Sequence, residues 1–461
     1  MFGYDWKPER WLAQESDRHA LQRTGRRLLQ LQFTVIATNL KSEFEIDGEK
    51  NMSYIERAIS DVLKSRVKSS KCTLVVGARQ VGKSTLLKHE FSEYYWTSFD
   101  DSLTRLQARD EPKLFFLNNP CPLIIDEVQK EGAILEEIKQ VVDNSQKRGQ
   151  FIFTGSAKLE LMKGISESLA GRVSICELSG LSMREIYRVP FFRHFVPTEK
   201  YISEREKELK PYQDIWEIIH KGSYPELYDV DRDWQDFYSS YVSTYLERDI
   251  HELISADSIT FTKFLTAVAA RTGEILNYAN IASEVGVTEP TIKRWVSVLE
   301  RTGIVYILQP YSASALNRAI KTPKIYFRDT GLACYLTKWL TADALKNSAV
   351  AGSMFETFVV SEILKSYSNE GLDYHFQIYY YRGKDKRDTG ENEIDLIIEE
   401  NGVLYPVEIK MTGNPKASMG SANTILDKIP EKKRGTGVVL CMIERKTYLR
   451  DNLIALPVEY I

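Results

Sequence analysis

At 461 residues the chain has room for several domains of roughly 100 to 200 residues each. A hydrophobic content of 43% against 27% charged residues is ordinary for a globular protein with sizeable cores, and a net charge of −3 supplies no global basic field, so any contact with nucleic acid must be local. No apolar stretch approaches the length of a membrane span, no charged start leads into an apolar secretory core, and the five scattered cysteines have no paired spacing. Those features point to reduced thiols, no zinc module, no membrane partner and a cytoplasmic home.

Residues 1–51 carry Trp6, Trp11, Leu21, Leu28 and Leu29 among Arg and Gln without a clear strand pattern. Two readings stand: a helical extension, or a leader preceding a translation start at Met52. Ser53 is placed to cap an amphipathic helix over Tyr54 to Leu63. From there to about Ile186, apolar strands alternate with helices, the pattern of a parallel sheet flanked by helices.

After the apolar run Thr73-Leu74-Val75-Val76, residues Gly77-Ala78-Arg79-Gln80-Val81-Gly82-Lys83-Ser84 spell G-x-x-x-x-G-K-[ST]. Small residues in such a loop let backbone amides point at phosphates, the lysine reaches the β and γ oxygens, and the serine hydroxyl ligates Mg²⁺ at a helix N-terminus. Gly77 through Ser84, with Thr85 following, are therefore the candidate binding residues for Mg-ATP or Mg-GTP. A second strand, Pro122-Leu123-Ile124-Ile125, ends in Asp126-Glu127, an order that brings Asp126 to the metal and Glu127 to the attacking water. A third, Phe151-Ile152-Phe153, ends in Thr154-Gly155-Ser156, either a hydroxyl near the γ-phosphate or a turn into a helix.

Charged residues around Thr198-Glu199-Lys200 and Glu204 to Lys207 mark a seam. Beyond it, Phe237, Tyr238, Tyr241 and Tyr245 recur at helical spacing and read as a helix core. Residues Tyr278 to Gln309 read as a winged helix-turn-helix: a helix to Val285, a turn at Gly286, then a second helix capped by Thr288 with Pro290 in its first turn. Ile292, Trp295, Val296 and Leu299 share its inner face, leaving Lys293, Arg294 and Arg301 outside. That outer face is suited either to duplex DNA or, with Glu289 and Glu300 on the same helix, to relaying nucleotide state by packing.

In the last third, Glu393 to Ile398 and Val403 to Lys410 are strand-like runs joined through Asn401-Gly402, a strong two-residue hairpin signal. Closing the turn with Glu400 opposite Val403 puts Asp395 opposite Glu408 and Glu393 opposite Lys410, all on one face. Opposed carboxylates repel unless neutralised, and a divalent cation is the usual agent. Asp followed by Glu-x-Lys across a hairpin is the order of PD-(D/E)xK nucleases, whose carboxylates hold Mg²⁺ while the lysine serves the attacking water. The rival reading is a charged hairpin in which Lys410 pairs with Glu393 and no metal binds. Lys384, Lys386 and Arg387 beside it suit a phosphate backbone or, with Asp385 and Asp388, a solvated loop.

Together the phosphate loop, Asp126-Glu127, Thr154-Gly155-Ser156, Ser168-Leu169-Ala170-Gly171-Arg172, Gly222-Ser223-Tyr224-Pro225-Glu226 and Tyr245-Leu246-Glu247-Arg248-Asp249 resemble a family of bacterial and archaeal AAA-type ATPases. Those proteins carry a trailing domain of unknown function that ends in a nuclease-like fold. The resemblance runs from about Met52 to near the C-terminus. It implies that Ser156 is a sensor, that ATP is preferred to GTP, that Glu356 is the helix-borne acid of the C-terminal site, and that Arg172 stands where an arginine finger for a neighbouring subunit in a homo-oligomer would sit; the rival reading of Arg172 is a side chain paired with a surface carboxylate. It also implies an α/β architecture: an AAA-type P-loop parallel-sheet domain over 52–205, a helical and winged-helix domain over 206–340, and a restriction-endonuclease-like α/β domain over 341–461. The expected activity is Mg-dependent ATP hydrolysis coupled to a module that binds or cleaves DNA. There Asp395 and Glu408, with Glu356, would hold a second Mg²⁺ or Mn²⁺, and Lys410 would assist catalysis. The alternative is a nucleotide-controlled switch or scaffold whose C-terminal fold is inactive and binds a partner.

Overall fold

A computed structural model of the protein describes residues 54–155, 168–212, 214–229, 232–250, 257–311, 322–384 and 391–461. The N-terminal extension, the Ser53 cap, Ser156, Lys386 and Arg387 lie outside the described residues, as does the side chain of Lys384. Tyr54–Ile461 form one compact unit.

Five strands, β1 (Cys72–Val76), β2 (Tyr95–Ser98), β3 (Leu123–Asp126), β4 (Phe151–Gly155) and β5 (Val173–Glu177), form a sheet in the order β2-β3-β4-β1-β5. Every pairing is parallel. β1, β3 and β4 are apolar because helices cover both faces, the usual reason a parallel strand reads as a continuous hydrophobic run. Parallel register brings Val76, Ser98, Asp126, Gly155 and Glu177 to one edge, the carboxyl ends where ligands bind in open α/β sheets.

The first helix begins later than the sequence pattern predicts, at Ser60 rather than Tyr54, and runs to Ser69. Tertiary bonds override the local pattern here. Arg57 donates to the carbonyls of Val81 and Ser179 at 2.8 and 2.6 Å and to Glu185 at 2.9 Å, which holds the preceding segment out of a helix.

The middle of the chain is mainly helical. Phe237, Tyr238, Tyr241 and Tyr245 are buried in its core, as their spacing predicts. Helices Tyr278–Val285 and Glu289–Arg301 meet at Gly286, whose φ of +85° is the left-handed conformation glycine tolerates best. An antiparallel sheet brackets them in the chain: β6 (Glu274–Ile275), which precedes the helices, and β7 (Val305–Leu308), which follows them, flank β8 (Lys324–Phe327).

The C-terminal module packs the long helix Ala351–Asn369 on a mixed seven-stranded sheet. Its strands are β9 (Ile378–Lys384), β10 (Glu391–Glu400), β11 (Val403–Lys410), β12 (Lys433–Arg434), β13 (Gly437–Cys441), β14 (Thr447–Arg450) and β15 (Leu453–Pro457). The β10–β11 hairpin has the expected register, Glu400 opposite Val403, with Asn401 and Gly402 at φ +50° and +80°. Buried polar pairs lock this module to the segment that follows β5. Glu362 accepts from the Met183 amide at 2.8 Å, and Lys365 donates to the Leu181 carbonyl at 3.0 Å and to Glu362 at 2.8 Å.

Candidate functional site

The phosphate loop leaves β1 at Gly77. A Cβ there would lie 2.2 Å from the Leu178 carbonyl oxygen, so only glycine fits the approach of the loop to the segment after β5. Gly82, at φ +93°, starts the helix Lys83–Glu90. Lys83 Nζ donates to the Gly77 and Ala78 carbonyls at 3.1 and 2.9 Å, and burial lowers its pKa to about 8 against the pull of Glu127 and Asp126. Arg79 lies over the Tyr245 ring with its guanidinium carbon 5.7 Å from the centroid; Gln80 (φ +63°) and Thr85 are exposed.

Ser84 Oγ donates to both carboxylate oxygens of Asp126, at 3.1 and 3.0 Å. Thr154 Oγ1 donates to Asp126 Oδ1 and accepts from the Glu127 amide at 3.2 Å. Glu127 has φ +54°, uncommon for a side chain of its size, and its carboxylate accepts from Gln129. A hydroxyl and a carboxylate in contact at a helix N-terminus are a donor set that fits Mg²⁺. Sequence reasoning missed Thr154 as a site residue, although it flagged that strand end, and missed Arg57, which braces the loop from behind.

The Arg57–Glu185 pair is buried, the two side chains being 4% and 2% exposed. Burial alone would raise the Glu185 pKa; the Arg57 charge and the amides of Ser182 and Ala58 outweigh it and hold the carboxyl below its ordinary value. Arg172 sits at the opposite edge of the sheet. Its carbonyl accepts from the Cys72 amide at the start of β1, and its guanidinium forks onto Asp143 at 2.6 and 2.9 Å. Five residues of extended strand, about 16 Å, separate it from its own phosphate loop.

The C-terminal acidic residues converge around a cavity of about 390 Å³ lined by Lys324, Glu356, Glu393, Asp395, Glu408 and Lys410, among others. Here the structure corrects one expectation. Lys410 does not pair with Glu393 but spans Asp395 and Glu408, at 2.7 and 3.1 Å. Glu393 is taken instead by Lys324 at 2.7 Å, a residue of β8 that sequence reasoning did not single out. The partner is decided by the packing of β8 on the helix Ala351–Asn369, which brings Lys324 within reach, because local alternation sets only which face Glu393 shares. Glu356 accepts from Lys324 at 3.2 Å and from Tyr326 at 2.6 Å.

Burial, then the neighbouring Asp395 charge, pushes Glu408 well above the ordinary carboxylate range, and its Oε1 is buried without a hydrogen-bond partner. The Lys410 ammonium, 3.1 Å from Glu408, is the charge set against this carboxyl. Among the described residues no three His, Cys, Asp or Glu side chains are gathered closely enough to hold a metal ion.

Lys293 of the helix Glu289–Arg301 pairs with Glu289 at 2.7 Å, and Arg294 and Arg301 are exposed. All five thiols are free, and among the described residues no helix is long and apolar enough to cross a membrane.

Comparison with known proteins divides the chain into three parts. Residues 69–187 match an AAA domain, 212–343 a domain of unknown function (DUF8612) and 351–461 a domain of unknown function (DUF4143). Uncharacterized proteins Mb2031c of Mycobacterium bovis and Rv2008c of Mycobacterium tuberculosis are each 27% identical over 409 residues, covering 87% of this chain and 82% of theirs. Among solved structures, the Walker-type ATPase PABY2304 of Pyrococcus abyssi is 16% identical with a TM-score of 0.39, covering 62% of this chain and 97% of its own. AMPPCP-bound DnaA from Aquifex aeolicus is 14% identical with a TM-score of 0.26, covering 52% and 85%. Neither superposition is close enough to carry an argument. The matched AAA domain, with its phosphate loop and Asp126 at the carboxyl edge of a parallel sheet, supports a P-loop ATPase of the AAA type.

Proposed function

We propose that the protein binds and hydrolyses Mg-ATP and that turnover acts on the C-terminal module, which binds or cleaves DNA. The observation that carries the ATPase reading is the contact of Ser84 with Asp126 at the mouth of the phosphate loop, with Lys83 beside it and Glu127 next in the chain. Ser84 and Asp126 would hold Mg²⁺, which supplies charge neutralisation on the β and γ oxygens. Lys83 carries its proton at neutral pH and exchanges loop carbonyls for phosphate oxygens. Glu127, fixed by its left-handed backbone and Gln129, accepts a proton from the attacking water. Glu127→Gln tests this: ATP should stay bound while hydrolysis falls by about 10² to 10⁴-fold. Retained turnover would remove Glu127 from the reaction.

Coupling rests on β8. Arg328, just past its end, pairs with Glu177 at the end of β5 and donates to Tyr374 at 3.0 Å, while Lys324 at its start reaches the C-terminal carboxylates. One short strand thus touches both sites. Arg172, too far from its own loop, would serve the nucleotide of a second copy in a homo-oligomer. For the C-terminal module, Asp395, Glu408 and Lys410 have the composition of a metal-dependent deoxyribonuclease site. Asp395→Ala or Lys410→Ala should abolish Mg²⁺- or Mn²⁺-dependent DNA cleavage and leave ATPase intact.

A specific observation favours the second reading, a nucleotide-controlled switch or scaffold: lysines, rather than a gathered set of acids, neutralise the cluster. Absence of cleavage by the wild-type chain with either metal decides for the switch.

A further inference from the structure

Residues 222–226 and 245–249 lie far along the chain from the phosphate loop, in the 212–343 domain of unknown function, yet both segments reach it. Arg79 of the loop lies over the Tyr245 ring, 5.7 Å from its centroid, and Tyr245 is only 2% exposed. Pro225 reaches the other end of the loop: a methyl group on Gly82 would lie 3.7 Å from its ring. An aromatic ladder joins the two contacts. Tyr245 packs edge-on against Tyr241 with centroids 5.3 Å apart, and Tyr241 lies 4.9 Å from Tyr224, the neighbour of Pro225. Tyr245 stands on a π-helical stretch, Val242–Ile250, a rare winding that recurs at functional sites. Between the two contacts lies Gln80 at φ +63°, a left-handed conformation that a residue with a side chain holds only when its surroundings over-determine it.

We infer that Tyr245 and Pro225 clamp the phosphate loop in its binding conformation, with Tyr245 a positioning residue that acts through Arg79 and not on the nucleotide itself. The inference rests on the reading of the loop as a nucleoside triphosphate site. A loop already held has less freedom to lose when it closes on phosphates, so the clamp raises affinity. The cation over the aromatic face fixes the Arg79 side chain and with it the backbone leading into Gln80. Pro225 bears on Gly82, where the helix Lys83–Glu90 begins. Arg79 also lies within electrostatic reach of Lys83, whose pKa burial lowers first and the Arg79 charge lowers further, so its placement bears on the loop's own lysine. Linkage runs both ways: if the clamp favours nucleotide, bound nucleotide must in turn order the clamp.

Calorimetric titration of the full-length chain with a non-hydrolysable ATP analogue and Mg²⁺ tests the clamp. Tyr245→Leu should weaken binding about three- to tenfold, the loss of one partly desolvated contact between a cation and an aromatic face. Tyr245→Phe keeps the ring and should bind as wild type does. In an Arg79→Met background, Tyr245→Leu should cost nothing further, whereas a merely structural tyrosine would cost the same in both. If wild type binds the analogue and Tyr245→Leu binds equally well, or if its loss persists without Arg79, the clamp is overturned and the nucleotide site survives. If wild type binds no analogue, the nucleotide site falls and takes the clamp with it. Should Tyr245→Leu not fold, hydrogen exchange on wild type decides. The analogue should slow exchange at the amides of residues 242–246 as well as at those of the phosphate loop, and protection confined to the loop overturns the clamp.

Discussion

The two acidic sites of this molecule are built from similar parts and poised differently. At the carboxyl edge of the first sheet, Asp126 is held by the neutral hydroxyls of Ser84 and Thr154, and Lys83 rests on backbone carbonyls. In the C-terminal cluster the carboxylates are held by the ammonium groups of Lys324 and Lys410. Neutral partners are exchanged cheaply for a metal and a phosphate; charged partners must be expelled or repelled. The first arrangement is prepared for a ligand and the second is closed by its own counter-ions.

Substitutions sharpen that contrast. The largest effect should come from Lys83→Ala, which removes the ammonium held on the carbonyls of the phosphate loop. Nucleotide affinity should drop at least tenfold, measured by titration with a non-hydrolysable ATP analogue, with the melting temperature scarcely changed because burying that charge already opposes folding. Next is Arg57→Met. It strands Glu185 as an uncompensated buried charge and should destabilise the chain by about 3 to 5 kcal/mol in denaturant unfolding, a loss that replacing both partners by apolar residues would largely restore.

Acid and base separate two buried carboxylates by sign. The folded pKa of Glu185 is depressed, so its stabilisation is present above its unfolded value and is lost as pH falls through the folded one, below the ordinary carboxylate range. For Glu408 the folded pKa is raised, so ionisation opposes folding as pH climbs above the unfolded value. Glu408→Gln should therefore match wild type in thermal melts near pH 4 and exceed it by a few degrees near pH 8; the reverse order would place Glu408 among stabilising ion pairs. The smallest structural effect belongs to Arg172→Ala, whose partner is an exposed carboxylate. No resolvable shift in melting temperature is expected, so an ATPase rate per chain that rises with protein concentration in wild type but not in the variant would mark a role in trans.

The amino-acid sequence by itself determined the phosphate loop, the Asp126-Glu127 strand end, the alternation of strands and helices, and the β10–β11 register. Each is local, set by residues a few positions apart through turn geometry, backbone freedom or side-chain period. It did not determine where the first helix starts, because Arg57 is claimed by carbonyls 24 and 122 residues away. Nor did it reveal that Lys324 enters the C-terminal cluster, or that Arg328 ties β8 to Glu177, 151 residues earlier. Which partner neutralises a buried charge depends on what the packed elements bring within hydrogen-bond reach. That proximity exists only once the chain has folded.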